Sequence, residues 1–405
     1  MQSVQSHPPR PATPLVFLSG GSALNETAAL LAGRVPTTHI ITTFDSGGST
    51  QALRKALPIP AVGDIRSRIL ALADVRMPDI AALSALLHCR LSSSGMNAAG
   101  QEAAQGSPSA SLSTDAIQNQ FAAMARGTHP LLQGARPDHV REVVKSLNHF
   151  AILAPHDFDW EGASIGNLVL AAEYFARGQS LKAAVEHWAG ILHCRGRVLP
   201  VSKTPLAHLA VRLRNGQTMV GQHKFTGKWQ AHITSPIESL WLTKDRGRPY
   251  PITAQAGDNV EESLKNAGTI VYPVGSFFSS VACNLLVPGV GRAIASAVCP
   301  RVFVPNPGQD PELCGITLRE QIDFLLKLLW QDTPEAPISS LLNTLVVDRA
   351  RGQYPGGIPE SYCRNLGVAI VDKSLLAQTK ADIPEPLRVD GRKLAQTLEE
   401  VWAGG

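Results

Sequence analysis

Two short stretches near the start of the chain decide its fold: "LVFLSGG" at Leu15 to Gly21 and "HIITTFDSGGST" at His39 to Thr50. Each runs apolar and β-branched residues into a pair of glycines, and a segment with helical periodicity follows. Asn25 can cap the start of the first of these helical segments. This strand–helix–strand–helix order predicts two parallel strands joined by a right-handed crossover. In open parallel sheets, ligands bind just beyond the carboxyl ends of the strands, which is where both glycine turns fall.

The rest of the chain repeats this alternation of strands and helices. Helices are predicted after "VGD" at Val62 to Asp64 and around Pro137 to Leu147, and a short strand is predicted for "HFAILAP" at residues 149–155. The runs "TIVYPV", "RVFVPN", "NTLVVD" and "GVAIVD" predict later strands, and Asn215-Gly216 favours a β-hairpin. We therefore predict an α/β fold of the Rossmann-like, three-layer α/β/α type, with a mainly parallel sheet and a β-hairpin excursion.

The length and composition favour a single domain. A chain of 405 residues that is 44% hydrophobic can bury one large core. Residues 1–14 are polar and proline-rich without an apolar signal segment, so we predict a disordered tail there. Residues from about 92 to 118 are rich in Ser, Ala, Gly and Gln, which predicts a flexible insertion inside one α/β domain at 15–405. No run of about 18 apolar residues occurs, so we expect no membrane association and a cytoplasmic protein.

Several function classes are disfavoured by the residues themselves. Lys+Arg 37 against Asp+Glu 33 gives a net charge of +4, too small for a nucleic-acid binder of this length. The six cysteines stand singly without a C-x-x-C pair, which favours reduced thiols over a zinc site. "GASIG" at Gly162 to Gly166 has the G-x-S-x-G pattern of an esterase around Ser164. The preceding "HDFDWE" is polar rather than a strand, so we disfavour hydrolysis.

The first glycine turn, at Gly20 and Gly21, has two open interpretations. A glycine turn that opens a helix exposes backbone N–H groups and lets a phosphate approach closely, because no Cβ is in the way. The turn is neither a P-loop nor a complete G-x-G-x-x-G, so it is equally compatible with a purely structural turn. The missing dinucleotide fingerprint disfavours oxidoreduction.

Two aspartates, Asp45 and Asp64, are predicted at helix starts near the first turn. A carboxylate beside a phosphate is repelled unless a cation lies between them, and Mg²⁺ prefers one or two carboxylates together with phosphate oxygens. The alternative is that each aspartate only caps a helix, as Asp readily does. For the pair with its glycine turns, we favour a Mg²⁺ site.

A third candidate segment lies in the second half, in "YPVGSFFSSVACNLLVPG" at Tyr272 to Gly289. A predicted strand enters Gly275-Ser276, and a helix with Ser280 and Asn284 follows. These hydroxyls and amides are candidates for a second ligand group. Helix capping by Ser276 explains part of the pattern equally well.

Together these residues resemble the CofD/YvcK family, which joins the 2-phospho-L-lactate transferases of deazaflavin-coenzyme synthesis to bacterial proteins that bind a nucleotide sugar and influence cell-wall metabolism. The similarity extends from about residue 15 to 372 and is carried by "FLSGGSALN", "TTFDSGGST", "VGDIRSRILALAD", "GASIGNLVLAA" and "GSFFSSVACNLLVPGV". The chain departs from the YvcK pattern at "PVGS", where G-P-G-S is usual, and at Phe44-Asp45-Ser46, where a double aspartate is usual. It looks closer to a bacterial CofD-like subgroup, labelled the GAK system, whose gene neighbours include an ATP-grasp enzyme.

The resemblance implies a Rossmann-like fold with a nucleoside diphosphate group near the glycine turns and Mg²⁺ near Asp45 and Asp64. It assigns nucleotide or phosphate binding to a larger set of residues: Gly20, Gly21, Ser22, Asn25, Gly47, Gly48, Ser49, Arg66, Gly166, Asn167, Gly275, Ser276, Ser280 and Asn284. The expected partner is a nucleotide-linked small molecule rather than a nucleic acid. An ATP-grasp enzyme and a second copy of this chain are candidate protein partners.

Two function classes follow from the resemblance. In the first, the protein is a Mg²⁺-dependent transferase that moves a 2-phospholactate-like phosphate-ester group from a nucleoside diphosphate to an acceptor hydroxyl, with Asp45 and Asp64 as catalytic residues. In the second, the same site only senses a nucleotide sugar and regulates metabolism or cell-wall synthesis, as in YvcK-like proteins. The carboxylate pair favours catalysis slightly, since a sensor can bind phosphate by backbone groups alone.

Overall fold

The computed structural model describes residues 13–92, 113–227, 232–378 and 387–404. The predicted tail and most of the predicted insertion lie outside these ranges. The last part of that insertion, residues 113–118, belongs to a helix that runs from Ser113 to Ala125.

The described residues contain ten strands, which form two sheets. The bounds of the strands are β1 Leu15–Ser19, β2 Thr37–Ile41, β3 Arg197–Pro200, β4 His208–Leu213, β5 Thr218–Val220, β6 Ile237–Thr243, β7 Thr269–Tyr272, β8 Arg301–Phe303, β9 Thr344–Val347 and β10 Ala369–Asp372. The large sheet has the order β10-β9-β8-β7-β1-β2-β3, and all its strand pairs are parallel. The small sheet has the antiparallel order β5-β4-β6.

The helices connect the parallel strands and cover the sheet. Their bounds are α1 Asn25–Leu31, α2 Gly48–Ala56, α3 Gly63–Leu72, α4 Pro78–His88, α5 Ser113–Ala125, α6 Pro137–Leu153, α7 Ile165–Ala176, α8 Leu181–Ile191, α9 Val260–Lys265, α10 Val290–Ser296, α11 Leu318–Asp332, α12 Glu360–Leu366 and α13 Gly391–Gly404. Two irregular turns, Phe277–Val281 and Ala282–Leu286, follow β7, and a short 3₁₀ turn, Gln222–Lys224, follows β5.

The large sheet is packed on both faces. Alternate residues of β1 point to opposite sides, as in any strand. Leu15 and Phe17 pack in a core with α1 and α13, whereas Val16 and Leu18 join a core that contains the small sheet, α10 and α11. A third core joins α3, α4, α6, α7 and α8. The predicted α/β fold, with a parallel sheet and a separate β-hairpin, is confirmed.

Two local predictions are wrong. Residues 149–155 do not form a strand, because α6 continues to Leu153 and buries Val143, Leu147 and Phe150 at helical spacing. Asn25 does not cap α1, because the helix begins at Asn25 itself. The Asn25 side chain instead donates to Ser67 Oγ of α3 at 2.8 Å.

The strand order of the large sheet reverses between β1 and β7. Strand β1 pairs with β2 on one side and with β7 on the other, so successive strands are added first outward from β1 and later on its opposite side. Such a switch point leaves a crevice at the carboxyl ends of the two central strands, where open α/β sheets bind ligands. The first glycine turn and the Gly275 segment both lie at this crevice.

In the described ranges, no single helix is long and apolar enough to cross a membrane. One bent pair, Phe277–Leu286 with Val290–Ser296, has that length and composition together, and its apolar side chains pack in the hydrophobic core.

Candidate functional site

The first glycine turn is a meeting point of four chain segments. A Cβ on Gly20 would lie 2.6 Å from Thr42 Cγ2, 2.9 Å from Asp64 Oδ2 and 3.2 Å from Ser280 Cα. Glycine is therefore required at position 20 by close protein neighbours. Gly21 has a left-handed φ of +59°. A Cβ added to Gly21 would have Ser280 Oγ as its nearest neighbour, at 3.5 Å. The structure thus brings the first turn, Asp64 and Ser280 together.

The second glycine turn holds Asp45 by one carboxylate oxygen. Asp45 is 8% exposed, and its Oδ1 accepts from Gly47 N at 2.9 Å and from Gln222 Nε2. The other oxygen, Oδ2, faces Gly63, where an added Cβ would lie 3.3 Å away. Since Gly63 begins α3 and Asp64 follows it, the two predicted aspartates are neighbours at the start of one helix.

Neither aspartate caps a helix. The cap position of α2 is Gly47 and that of α3 is Val62, and neither helix start has a side-chain cap. The pKa of Asp45 is raised from 3.8 to about 7, first by burial and second by repulsion from Asp64. The hydrogen bond from Gly47 and the charge of Arg54 oppose this rise. Two repelling carboxylates are hard oxygen donors, so these residues fit a divalent cation such as Mg²⁺.

The predicted residues around Ser49 form a buried joint. Ser49 Oγ accepts from Ser164 N at 2.9 Å and from Asn167 Nδ2 at 3.3 Å, and Arg66 Nη1 donates to Ser164 Oγ at 2.9 Å. A Cβ on Gly166 would lie 2.7 Å from Arg66 Cδ. These contacts fix α2, α3 and α7 around the second turn. Ser164, the esterase candidate, is fully buried in this joint.

The backbone donors of the Gly275 segment are already bound within the protein. Phe277 N donates to Asp310 Oδ2 at 2.9 Å, and the N–H groups of Phe278 and Ser279 donate to Glu312 Oε2 at 3.0 and 2.9 Å. Gly275 exchanges two hydrogen bonds with Asn306, at 3.0 and 2.7 Å. This leaves side chains, rather than these amides, to contact a ligand.

Of the side chains in that segment, Ser280 points toward the crevice and Asn284 does not. Asn284 is fully buried, and its Nδ2 donates to Ser280 O at 2.8 Å. Ser276 is partly exposed and makes no side-chain cap. Ser280 Oγ lies beside Gly21, so it is the member of this segment closest to the first turn.

A family model described as 2-phospho-L-lactate transferase CofD matches residues 15–397. This chain belongs to the CofD family. The family membership expected from the glycine turns and the two aspartates is confirmed.

Relatives and solved structures share this fold at low identity. A Deinococcus radiodurans relative is 29% identical over 248 residues, which are 60% of this chain and 49% of that protein, so this chain spans about half the length of that relative. The gluconeogenesis factor of Bacillus subtilis is 24% identical over 298 residues, which are 73% of this chain and 68% of that protein. The crystal structure of a UPF0052-family protein from Bacillus halodurans matches with a TM-score of 0.65 at 21% identity, covering 95% of this chain and 99% of that one.

In this CofD-family chain, two residues that interact with the predicted aspartates were not predicted from the sequence. Gln222, which contacts Asp45 from 177 positions away, lies in the 3₁₀ turn that follows β5, and no local pattern points to it. Arg68 is fully buried, and none of its guanidinium nitrogens has a hydrogen-bond partner within the described ranges. Burial lowers the pKa of Arg68 to about 10 against the attraction of Asp64. The spacing of Asp64 and Arg68, one helical turn apart, was a readable signal for this charge pair.

In the CofD-family crevice, Asp45 and Asp64 supply fewer protein ligands than a metal site made of protein groups alone would need. Among the described residues, one group of three potential ligands lies within 4.8 Å: Glu142, Glu173 and His187, on α6, α7 and α8. Glu173 there is already paired with Arg177 at 2.8 Å and accepts from Ser146 at 3.1 Å, which makes the group an ion-pair network. A cation at Asp45 and Asp64 would therefore need ligand or water oxygens, as Mg²⁺ commonly has.

The remaining predicted residues are spread around the crevice rim. Ser22 is exposed, and its carbonyl accepts from Asn25 N at 3.0 Å. Gly48 is exposed with a φ of +48° and begins α2. The first turn, both aspartates and Ser280 thus form the centre of the candidate site. Ser22, Asn25 and Gly48 lie at the edges of this site.

Proposed function

We propose that this CofD-family chain binds a nucleotide-linked, phosphate-bearing metabolite with Mg²⁺ and acts as a metabolic regulator, in the manner suggested by the gluconeogenesis factors it resembles. The observation that carries the proposal is the convergence of Gly20, Gly21, Asp45, Asp64 and Ser280 at the switch point of the sheet. A second supporting fact is that the similar Bacillus subtilis protein is named a gluconeogenesis factor.

The chemistry of the crevice suits an anion joined to a cation. The helices α2 and α3 both begin there, and helix starts carry a partial positive charge and free N–H groups. Asp45 and Asp64 alone would repel a phosphate, so a phosphate and the two carboxylates can share the crevice only with a cation between them. Mg²⁺ would supply that bridge, and Asp45 Oδ2 and Asp64 would hold it.

Transfer of a phosphate-ester group is a second candidate function, favoured by one observation. Burial is the largest cause of the raised pKa of Asp45, and a carboxylate whose pKa is raised toward neutrality can accept a proton from an attacking hydroxyl. In this reading Asp64 alone would hold the cation and Asp45 would take the proton of the acceptor.

A thermal-shift screen of nucleotides and nucleotide sugars, with and without Mg²⁺, tests the proposal. A ligand that binds only the folded chain raises its melting temperature. We expect a rise that is larger with Mg²⁺ and absent in Asp64→Asn. The matched control is Asp258→Asn, since Asp258 is an exposed aspartate paired with Lys203 at 3.2 Å. If no nucleotide or nucleotide sugar shifts the wild-type protein, the proposed function is wrong.

The same ligand then separates regulation from transfer. Phosphorus NMR of the ligand with the chain and candidate acceptor alcohols reports any release of a nucleoside monophosphate. An unchanged ligand supports a regulator. Nucleotide release that disappears in Asp45→Asn supports the transferase.

A further inference from the structure

A group of basic side chains lies beside the second glycine turn and outside the predicted site. We call Arg54, His208, His223, Lys224 and Arg246 the basic cluster. Burial is the largest cause that lowers the pKa of His208 and of His223, and the neighbouring charges add to it: Arg54, Arg246 and His223 for His208, and Arg246 and Lys224 for His223. Such mutual repulsion is unfavourable unless an anion offsets it.

The floor of the basic cluster is buried and incompletely hydrogen-bonded. His208 is 4% exposed, and its Nε2 accepts from Arg246 Nε at 3.4 Å. The ring proton is therefore on Nδ1, which is buried and has no acceptor within the described part of the chain. Arg54 is also 4% exposed and donates to the carbonyls of Asp45 and Ala207 at 2.8 and 2.6 Å. A buried N–H without an acceptor costs free energy, so His208 indicates an absent partner.

The charges of Lys224 and Arg246 are not paired with carboxylate side chains of the described residues, whereas Asp45 attracts the buried Arg54. Elsewhere on the small sheet, Arg214 lies 2.6 Å from Glu320 and Arg212 lies 3.8 Å from Glu238. Among the described residues, no carboxylate oxygen lies within 4.0 Å of the charged nitrogens of Lys224 or Arg246. Arg246 is exposed and Lys224 half-buried, so the cluster opens to solvent above its buried floor.

Two contacts connect the basic cluster to the crevice. His223 Nδ1 lies 3.0 Å from Ser46 Oγ, and the preceding residue, Gln222, donates to Asp45. A Cβ on Gly221 would lie 2.9 Å from Ser46 Oγ, so the turn that carries His223 packs directly on the second glycine turn. The basic cluster therefore borders the second glycine turn, which carries Asp45.

We propose that the basic cluster is an oxyanion subsite, which takes a second acidic group, a phosphate or a carboxylate, of the metabolite bound in the crevice. This inference rests on the proposed function. The donors would be the charged groups of Arg246 and Lys224, above the buried ring of His208. Bidentate arginine contacts to an oxyanion are strong and directional. The ligand would then carry two separate anionic groups, one at the glycine turns and one here.

Titration of the full-length chain with inorganic phosphate and, separately, with acetate tests the subsite. Binding is measured by calorimetry without Mg²⁺, and the ring signals of His208 and His223 are followed by nitrogen NMR. We expect phosphate to shift both ring signals. We also expect the phosphate affinity of Arg246→Gln to be about tenfold or more below that of the wild type, because a charge-assisted hydrogen bond is lost. Arg248→Gln, an equal change of charge two residues away, should keep wild-type affinity.

The outcomes separate the two proposals. A shift of the histidine signals by acetate as well as phosphate supports the subsite and assigns it to carboxylates too. Wild-type phosphate affinity in both Arg246→Gln and Lys224→Gln, or unmoved histidine signals at saturating phosphate, overturns it. Gly21→Val should keep the histidine shifts, since it alters only the first turn. If phosphate binds the cluster and no nucleotide binds the chain, the proposed function fails and the subsite stands.

Discussion

Replacing Asp45 by asparagine should make the metal-free protein more stable, and increasingly so as the pH rises from about 4 to about 7. The pKa of Asp45 is raised from 3.8 to about 7 by burial and by Asp64. The unfolded chain thus loses this proton near pH 4 and the folded chain near pH 7, so the folded state binds more protons in between. Stability due to this group is therefore full below about pH 4 and is lost as the pH rises to about 7.

The magnitude follows from the size of that shift. Each pKa unit corresponds to about 1.4 kcal/mol, so ionised Asp45 destabilises the folded state by roughly 4 kcal/mol above pH 7. The asparagine side chain would carry no charge, and its oxygen could still accept from Gly47 and Gln222. We expect Asp45→Asn to be more stable than the wild type by about 1 to 2 kcal/mol at pH 5 and by about 3 to 4 kcal/mol at pH 8.

Urea unfolding at pH 5 and pH 8, with and without Mg²⁺, is the assay. Mg²⁺ should stabilise the wild-type protein at pH 8 and have little effect on Asp45→Asn, because the cation needs the carboxylate. Asp258→Asn is the control, and an exposed change of this kind should alter stability by less than about 1 kcal/mol at either pH. Equal stabilisation of Asp45→Asn at both pH values, or destabilisation at both, would refute the reasoning.

Two further changes test how the crevice is built. Gly20→Ala should destabilise the fold by about 1 to 3 kcal/mol, because its Cβ would meet Thr42 at 2.6 Å and Asp64 at 2.9 Å. Thermal unfolding measures this, and an unchanged melting temperature would show that the turn is looser than described. Glu312→Ala should cost about 2 to 4 kcal/mol, since the N–H groups of Phe278 and Ser279 lose their buried acceptor. Hydrogen exchange at those two amides checks it, and wild-type protection would contradict the role given to Glu312.

The sequence predicted the sheet and the centre of the site because their signals are local. The apolar runs of β1 and β2 end directly in glycine turns, and the switch point places their carboxyl ends at one crevice. Asp45 and Asp64 were predicted on the same local ground. The false strand at 149–155 arose from a short apolar run, whose helical spacing is visible only with Val143 and Leu147 included.

The remaining contacts depend on residues that are distant in sequence. Gln222 reaches Asp45 from the 3₁₀ turn that follows β5, and Glu312 accepts from the amides of Phe278 and Ser279, 34 and 33 positions away. Neither contact has a local pattern, because the chain brings them together only after the sheet has formed. Capping explanations for Ser276 and Asn25 were plausible by residue type, and the structure gives neither side chain that role.

Arg68 sets a limit on how the second aspartate can be tested. Asp64→Asn removes the charge that attracts this buried guanidinium, so some loss of stability accompanies any loss of binding. Asp45→Asn likewise removes the charge that attracts the buried Arg54, so the stability of both variants is measured beside their binding.

The most direct test is calorimetric titration of Mg²⁺ into the chain saturated with the best nucleotide ligand from the thermal-shift screen. The wild-type protein should bind Mg²⁺, and Asp45→Asn and Asp64→Asn should each weaken it by about tenfold or more, given folded variants. The double variant should be little worse than the weaker single variant, because residues that hold one cation act as a unit. Wild-type Mg²⁺ affinity in the Asp45→Asn, Asp64→Asn double variant would contradict the account.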